Sequence, residues 1–200
     1  MSTAVMRWIA EASPRIKARI AGVSYLLVFV TGSLALVFAR GRITANLIAT
    51  ACYVAVTLLF YDLFKPVSRN ASLLAAFFGL LGCASGALSS FRVVPLGINS
   101  LVWFGFYCLL IGYLIVRSTF LPRALGVLMA FGGLGWLTFL SPSLARSLSP
   151  YNLAPGIIGE GVLTLWLLVK GVDVRRWREQ AGAAVNADRS GVQPHPEGAY

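Results

Sequence analysis

Between Arg19 and Arg40 the chain reads IAGVSYLLVFVTGSLALVFA (Ile20–Ala39), twenty residues without a charge. A bilayer core of about 30 Å is crossed by roughly 20 apolar residues in a helix, so this stretch alone predicts one membrane span. It has no clear small-residue cleavage site, which argues for a retained helix rather than a removed signal. Reading outward, the charges keep the same spacing. Arg42 to Asp62 encloses 19 uncharged residues, Arg69 to Arg92 encloses 22, Arg92 to Arg117 encloses 24 and Arg123 to Arg146 encloses 22. The last window, Arg146 to Lys170, is 23 residues long and holds one charge, Glu160.

Six windows of spanning length predict an all-α bundle of six transmembrane helices, over about 20–39, 43–61, 70–91, 95–116, 122–141 and 153–171. Ser13-Pro14 reads as an N-cap followed by proline at the first helical position, so the first helix is expected to start there. Residues 1–13 precede the membrane domain (14–174), and 175–200 form a basic juxtamembrane segment and tail. After Gly182 the tail is polar and rich in small residues, and disorder is expected. The spans are continuously apolar rather than alternating, which excludes a β-barrel.

Composition agrees. Of 200 residues, 58% are apolar and only 12% charged, and the mean hydropathy is +0.77. A soluble domain is about a quarter charged, so an ordinary soluble enzyme, a disordered chain and a disulfide scaffold are all excluded. Cys52, Cys83 and Cys108 lie inside apolar runs with no metal spacing, and read as small buried hydrophobes. His195 is the sole histidine and sits in the tail, so a histidine-ligated haem or metal, or an intramembrane Ser-His-Asp triad, is not available. No cofactor is expected.

Orientation follows from the basic residues. With the N-terminus inside, thirteen of the seventeen Lys and Arg fall on inner segments and only Arg40, Arg42, Arg92 and Arg146 on outer ones. Both termini are therefore expected in the cytoplasm. This distribution also explains the net charge of +10 without nucleic acid, which is not an expected partner. Arg175, Arg176, Trp177 and Arg178 read as an interfacial anchor on anionic lipid.

Four stretches carry a family resemblance. They are Ala18-Arg19-Ile20-Ala21-Gly22; Lys65-Pro66-Val67-Ser68-Arg69 with Leu73-Leu74-Ala75-Ala76; Gly112-Tyr113-Leu114-Ile115-Val116-Arg117-Ser118 running into Leu121-Pro122-Arg123 and Leu125-Gly126-Val127-Leu128; and Gly159-Glu160 leading to Leu165-Trp166-Leu167-Leu168 and Lys170-Gly171-Val172. In this order, over about Pro14 to Val172, they resemble the bacterial membrane-protein family catalogued as domain of unknown function 4386. The resemblance implies a multi-pass protein of the bacterial inner membrane and brings no assigned activity or catalytic residue. The chain looks shorter than usual members, which have longer connections in the middle of the fold. A binding surface built there would be reduced here.

Within the spans Glu160 is the residue to explain, because an intramembrane acid is a functional hypothesis by default. Counting from Lys170 puts it about 15 Å from the inner boundary, and counting from Pro155 only about 7 to 8 Å below the outer end. The shallower depth is favoured if Lys170 snorkels. A carboxyl there must be protonated, paired or hydrated. Capping a partner helix or pairing with an outer arginine to fix packing is one reading; a ligand, ion or proton site is the other. Thr31, Ser33, Asn46, Thr50, Ser85, Ser89, Ser90, Asn99 and Ser100 also fall in outer halves. An outward-facing polar cavity with Glu160 as its strongest charge, and Asn46, Asn99 and Arg92 as further ligand-binding candidates, is the sharpest site hypothesis. Ordinary interhelical hydrogen bonding is the plainer one.

Other signals read as packing. Asp62 and Lys65, three apart, are expected to pair on the last turn of the second span. Gly82 to Gly86 is a GxxxG contact surface, and Gly132, Gly133 and Gly135 play a similar part. The segments Leu74–Gly82 and Leu128–Gly135 echo each other faintly, as parallel repeats or by chance in apolar sequence. Three functions fit. The first is a non-enzymatic module that binds a lipid or small hydrophobic ligand, or stabilises a partner. The second is a small transporter using Glu160, which six short helices would make a homodimer. The third is an intramembrane enzyme, disfavoured because no nucleophile–base pair stands beside Glu160.

Overall fold

The computed structural model describes residues 13–37, 41–91 and 98–191. Among the described residues it contains helices and no strand. Six helices are long and apolar enough to cross a membrane. They are α1 (Pro14–Val37), α2 (Arg42–Phe64), α3 (Arg69–Ser89), α4 (Ser100–Arg117), α5 (Arg123–Leu137) and α7 (Ala154–Val169). A 3-10 turn over Thr138–Leu140 lengthens the α5 span, and another over Tyr151–Leu153 leads into α7.

Helix starts follow local chemistry. Ser13 Oγ accepts from the Ile16 amide at 3.4 Å, Ser68 Oγ from Ala71 at 3.4 Å and Asn99 Oδ1 from Leu101 at 3.0 Å. Each hydroxyl or amide oxygen satisfies a backbone donor that an isolated helix end leaves open. The first helix begins at Pro14, as the Ser13-Pro14 pair predicts.

Two further helices depart from the sequence reading. Ser141 Oγ accepts from the Leu144 amide and Pro142 occupies the first turn, giving the seven-residue α6 (Pro142–Leu148) where only a loop is expected. Past Gly182, where disorder is expected, α8 (Val174–Gly191) continues as helix. Asp173 Oδ1 caps it by accepting from the amides of Arg175 and Arg176, and an alanine-rich stretch sustains it. The fourth helix begins at Ser100 rather than 95, and the last ends at Val169 rather than 171. Residues 1–12, Arg40, Arg92, Pro95 and His195 lie outside the described residues.

The six spans form a closed ring. Each packs on its neighbours in chain order, and α7 closes the circle by packing on both α5 and α1. Consecutive spans run antiparallel, so Lys17 near the start of α1 meets Asp62 near the end of α2. The exterior is apolar, with Leu73, Val127 and Leu165 about three-fifths exposed, while Ser72, Thr57, Ser85, Glu160 and Thr164 are buried inside. A soluble bundle would place these groups the other way round.

The ring is tightest along α4 and α5. A Cβ on Gly112 would lie 2.7 Å from the carbonyl of Gly126, and one on Gly126 would lie 2.6 Å from that of Gly112. Two turns away, Gly105 and Gly133 oppose each other in the same manner. The GxxxG expectation holds at Gly82, which lies against the Phe104 ring, whereas Gly86 has only ordinary contact with Ser100.

Candidate functional site

Glu160 occupies the second turn of α7 and points into the ring. The approach of α5 makes room for one large donor beside it. Gly156 on α7 faces Gly132 on α5, Gly159 lies against the Leu128 carbonyl, Gly135 lies against Asn152 and Pro155, and a Cβ on Gly156 would overlap the indole of Trp136. With no side chain there, the ring of Trp136 lies close against Gly156 and its Nε1 donates to Glu160 Oε1 at 2.7 Å. Cys108 Sγ of α4 donates to the same oxygen at 3.5 Å. Tyr53 Oη of α2 donates to Oε2 at 3.5 Å and lies 3.2 Å from the hydroxyl of Tyr25 on α1.

Five of the six spans thus converge on one carboxyl. Tyr25, Tyr53 and Cys108 are each central in their helices, so the carboxyl sits near mid-span. The deeper of the two sequence estimates describes the carboxyl better than the shallower one. Its donors are uncharged, and among the described residues no arginine pairs with it. Beside it the hydroxyl of Tyr107 is buried, with no hydrogen-bond partner within 3.5 Å among the described residues.

Above this cluster, at the end of the bundle away from Asp62, a cavity of about 750 Å³ opens between α1, α2, α3 and α4. Arg42, Asn46 and Thr50 line it from α2, Ser89 and Ser90 from the end of α3, and Ser100 from α4. Its floor is Tyr53 and Phe104, whose rings are 4.4 Å apart between centroids. Tyr53 therefore belongs to both the cavity and the Glu160 cluster. The hydroxyls of Thr50, Ser89 and Ser90 donate to carbonyls of Asn46, Ser85 and Gly86 on their own helices. A hydroxyl has one proton and two acceptor sites, so these three present acceptors to whatever enters.

Of the sequence-expected site residues, Asn46 lines the cavity. Glu160 lies beneath its floor rather than in its wall. Asn99 does not join them: its side chain caps α4 and it is exposed. Arg92 lies outside the described residues. Thr31 bonds its hydroxyl to Leu27 O and is not among the lining residues, nor are Ser33 and Ser85. Arg42, Tyr53, Tyr25 and Trp136 are not among the expected site residues, and Cys108, expected only as a small buried hydrophobe, also donates to the carboxyl. A mid-span tyrosine carries a hydroxyl that needs a partner in an apolar medium, and that signal was present at Tyr25, Tyr53 and Tyr107.

The opposite end holds a second polar cluster. Asp62 bonds Lys65 on its own last turn, as the spacing predicts, and also Lys17 of α1. Next to it Trp177 Nε1 of α8 donates to Leu63 O at 2.9 Å. The anchor residues therefore divide: Trp177 is partly buried on the bundle, while Arg175, Arg176 and Arg178 are exposed. Among the described residues no three His, Cys, Asp or Glu side chains are grouped to hold a metal.

The family model for a domain of unknown function (DUF4386) matches residues 39–98 and 96–171. An uncharacterised protein of Archaeoglobus fulgidus is 29% identical over 127 residues, covering 59% of this chain and 76% of its own length. That relative is archaeal, so it lends nothing to the expectation of a bacterial source. No solved structure matches the chain.

Proposed function

Since the chain belongs to the DUF4386 family, whose description assigns no activity, we propose from its geometry that it is a membrane-embedded binding module for a small amphipathic molecule. The observation that carries this reading is the polar cavity floored by Tyr53 and Phe104. Its hydroxyl acceptors favour a ligand end that bears N–H or O–H donors, and its aromatic floor takes an apolar body. In this reading the bundle lies in the cell membrane with both termini in the cytoplasm, so the cavity opens outward. Native mass spectrometry of the detergent-purified protein tests it. A retained small molecule is expected in the wild type and absent from Thr50→Trp, which fills the cavity. Equal retention by both proteins would remove the cavity from the function.

A second reading, proton-coupled transport, is favoured by one specific contact. Tyr53 joins the cavity to Glu160, so a proton or a ligand amine reaching the floor meets a hydroxyl already bonded to a carboxyl. Uptake into proteoliposomes driven by a pH gradient and lost in both Glu160→Gln and Tyr53→Phe would select transport. Uptake unchanged in both would eliminate it.

A further inference from the structure

A second cavity, about 700 Å³, lies at the Asp62 end of the bundle, where α1 begins, α7 ends and α8 departs. It is separate from the Tyr53 cavity and shares no lining residue with it. Four cations line it: Arg15 from α1, Lys170 from the end of α7, and Arg175 and Arg176 from the first turn of α8. Its one acid, Asp173, is already engaged, accepting from the amides of Arg175 and Arg176 and pairing with Arg176 Nε at 3.6 Å. The lining therefore keeps a surplus of positive charge, and Arg15 and Lys170 make no ion pair among the described residues.

The backbone that carries these groups is fixed. Lys170 and Gly171 both donate to Trp166 O, at 2.8 and 3.0 Å, and Gly171 takes a φ of +69° that a side chain would resist. Its bare Cα lets the stem of Arg15 pass close, with Cγ 3.3 Å from where a Cβ would stand. Asp173 N donates to Phe120 O at 3.3 Å, tying the α7–α8 connection to the α4–α5 loop, and Arg176 Nη1 donates to Thr119 O at 3.4 Å. Behind the cations stand Phe120, Leu121, Pro122 and Trp166, an apolar wall.

The geometry points to a binding site for a phosphate-bearing anion, with Arg15 and Lys170 as its principal ligands. Guanidinium and ammonium donors above an apolar wall, at the end of membrane spans, match the two parts of an anionic lipid: a phosphodiester and the first carbons of an acyl chain. A free phosphate offers the same anion without the chain, so the two sources separate by experiment.

The full chain in uncharged detergent is titrated with short-chain phosphatidylglycerol and, separately, with inorganic phosphate, and binding is read by native mass spectrometry and thermal shift. Arg15→Gln/Lys170→Gln is expected to weaken binding roughly thirtyfold and Lys170→Gln alone about fivefold, at about 1 kcal/mol per cation near a headgroup. Arg69→Gln, a basic residue at the same end but outside the cavity, is expected to leave it unchanged. Binding of phosphatidylglycerol alone identifies a lipid headgroup; binding of phosphate as tightly identifies a soluble anion. The single variant serves if the double variant loses the melting temperature of the wild type. Binding of neither probe, or equal losses in Lys170→Gln and Arg69→Gln, would overturn the site.

Discussion

Asp62 ends α2 between two ammonium groups, whereas Glu160 hangs at the centre of the bundle among the indole of Trp136, the thiol of Cys108 and the phenol of Tyr53. The difference follows from depth. At the end of a span Lys17 and Lys65 reach Asp62 with long flexible stems, and water lies nearby for whatever the pair leaves unsatisfied. At mid-span a basic partner would itself need desolvating, at a cost that its attraction for the acid need not repay. Uncharged donors satisfy the carboxyl oxygens without bringing in a second ion. The first acid is built as a fastener between charges, and the second is held, among the described residues, by uncharged donors.

The largest expected effect tests the fastener. In Asp62→Asn the Lys17 ammonium, with a side chain only 8% exposed, loses this carboxylate. Removing one partner of a buried pair costs about 3–5 kcal/mol, and we expect about 3 because Asp62 is a quarter exposed. Unfolding of the full chain in mixed micelles measures the loss. Adding Lys17→Met to Asp62→Asn should recover more than half of it. A wild-type midpoint for Asp62→Asn would make the contact ornamental and dissolve the contrast with Glu160.

A smaller effect is expected at the centre. Trp136→Phe keeps an aromatic ring beside Gly156 and deletes the 2.7 Å bond to Glu160, which should cost about 2 kcal/mol. In the double variant with Glu160→Met, which has no oxygen to accept from the indole, the two losses should fall short of their sum by about 1 kcal/mol, because both remove the same contact. Full additivity would mean that the indole stabilises the α5–α7 contact and not the acid.

How much of this was open to reading differs between the two acids. The six spans, the start at Ser13-Pro14 and the Asp62–Lys65 pair all rest on short-range spacing, which a sequence displays directly. Lys17 did not, since its approach depends on α1 lying antiparallel to α2. At Glu160 the residue was visible but its partners were not. Continuously apolar helices give no hydrophobic stripe from which to read the face that turns inward, so Trp136 and Cys108 looked no different from residues that face lipid. Glycine spacing carried some of the missing information. Gly105 and Gly112 on one helix, and Gly126 and Gly133 on the next, repeat at two turns and mark the line where α4 and α5 touch. The helix past Gly182 was missed for another reason: a composition that resembles a linker also suits an amphipathic helix once Asp173 caps it.

The smallest expected effect sharpens the comparison inside the fastener itself. Lys65 touches the same carboxylate as Lys17, yet its side chain is 49% exposed against 8%. If contact alone set the energy, the two lysines would matter equally. If desolvation sets it, Lys65→Gln should change stability by less than about 0.5 kcal/mol, in line with exposed ion pairs. The effect of Lys65→Gln should also fade further as salt is added, while the Asp62→Asn loss persists because the Lys17 side is sheltered. Comparable losses for Lys65→Gln and Asp62→Asn would place the whole triad in one shared environment. The distinction that matters would then lie between the ends and the middle of the bundle, not between buried and exposed members of one cluster.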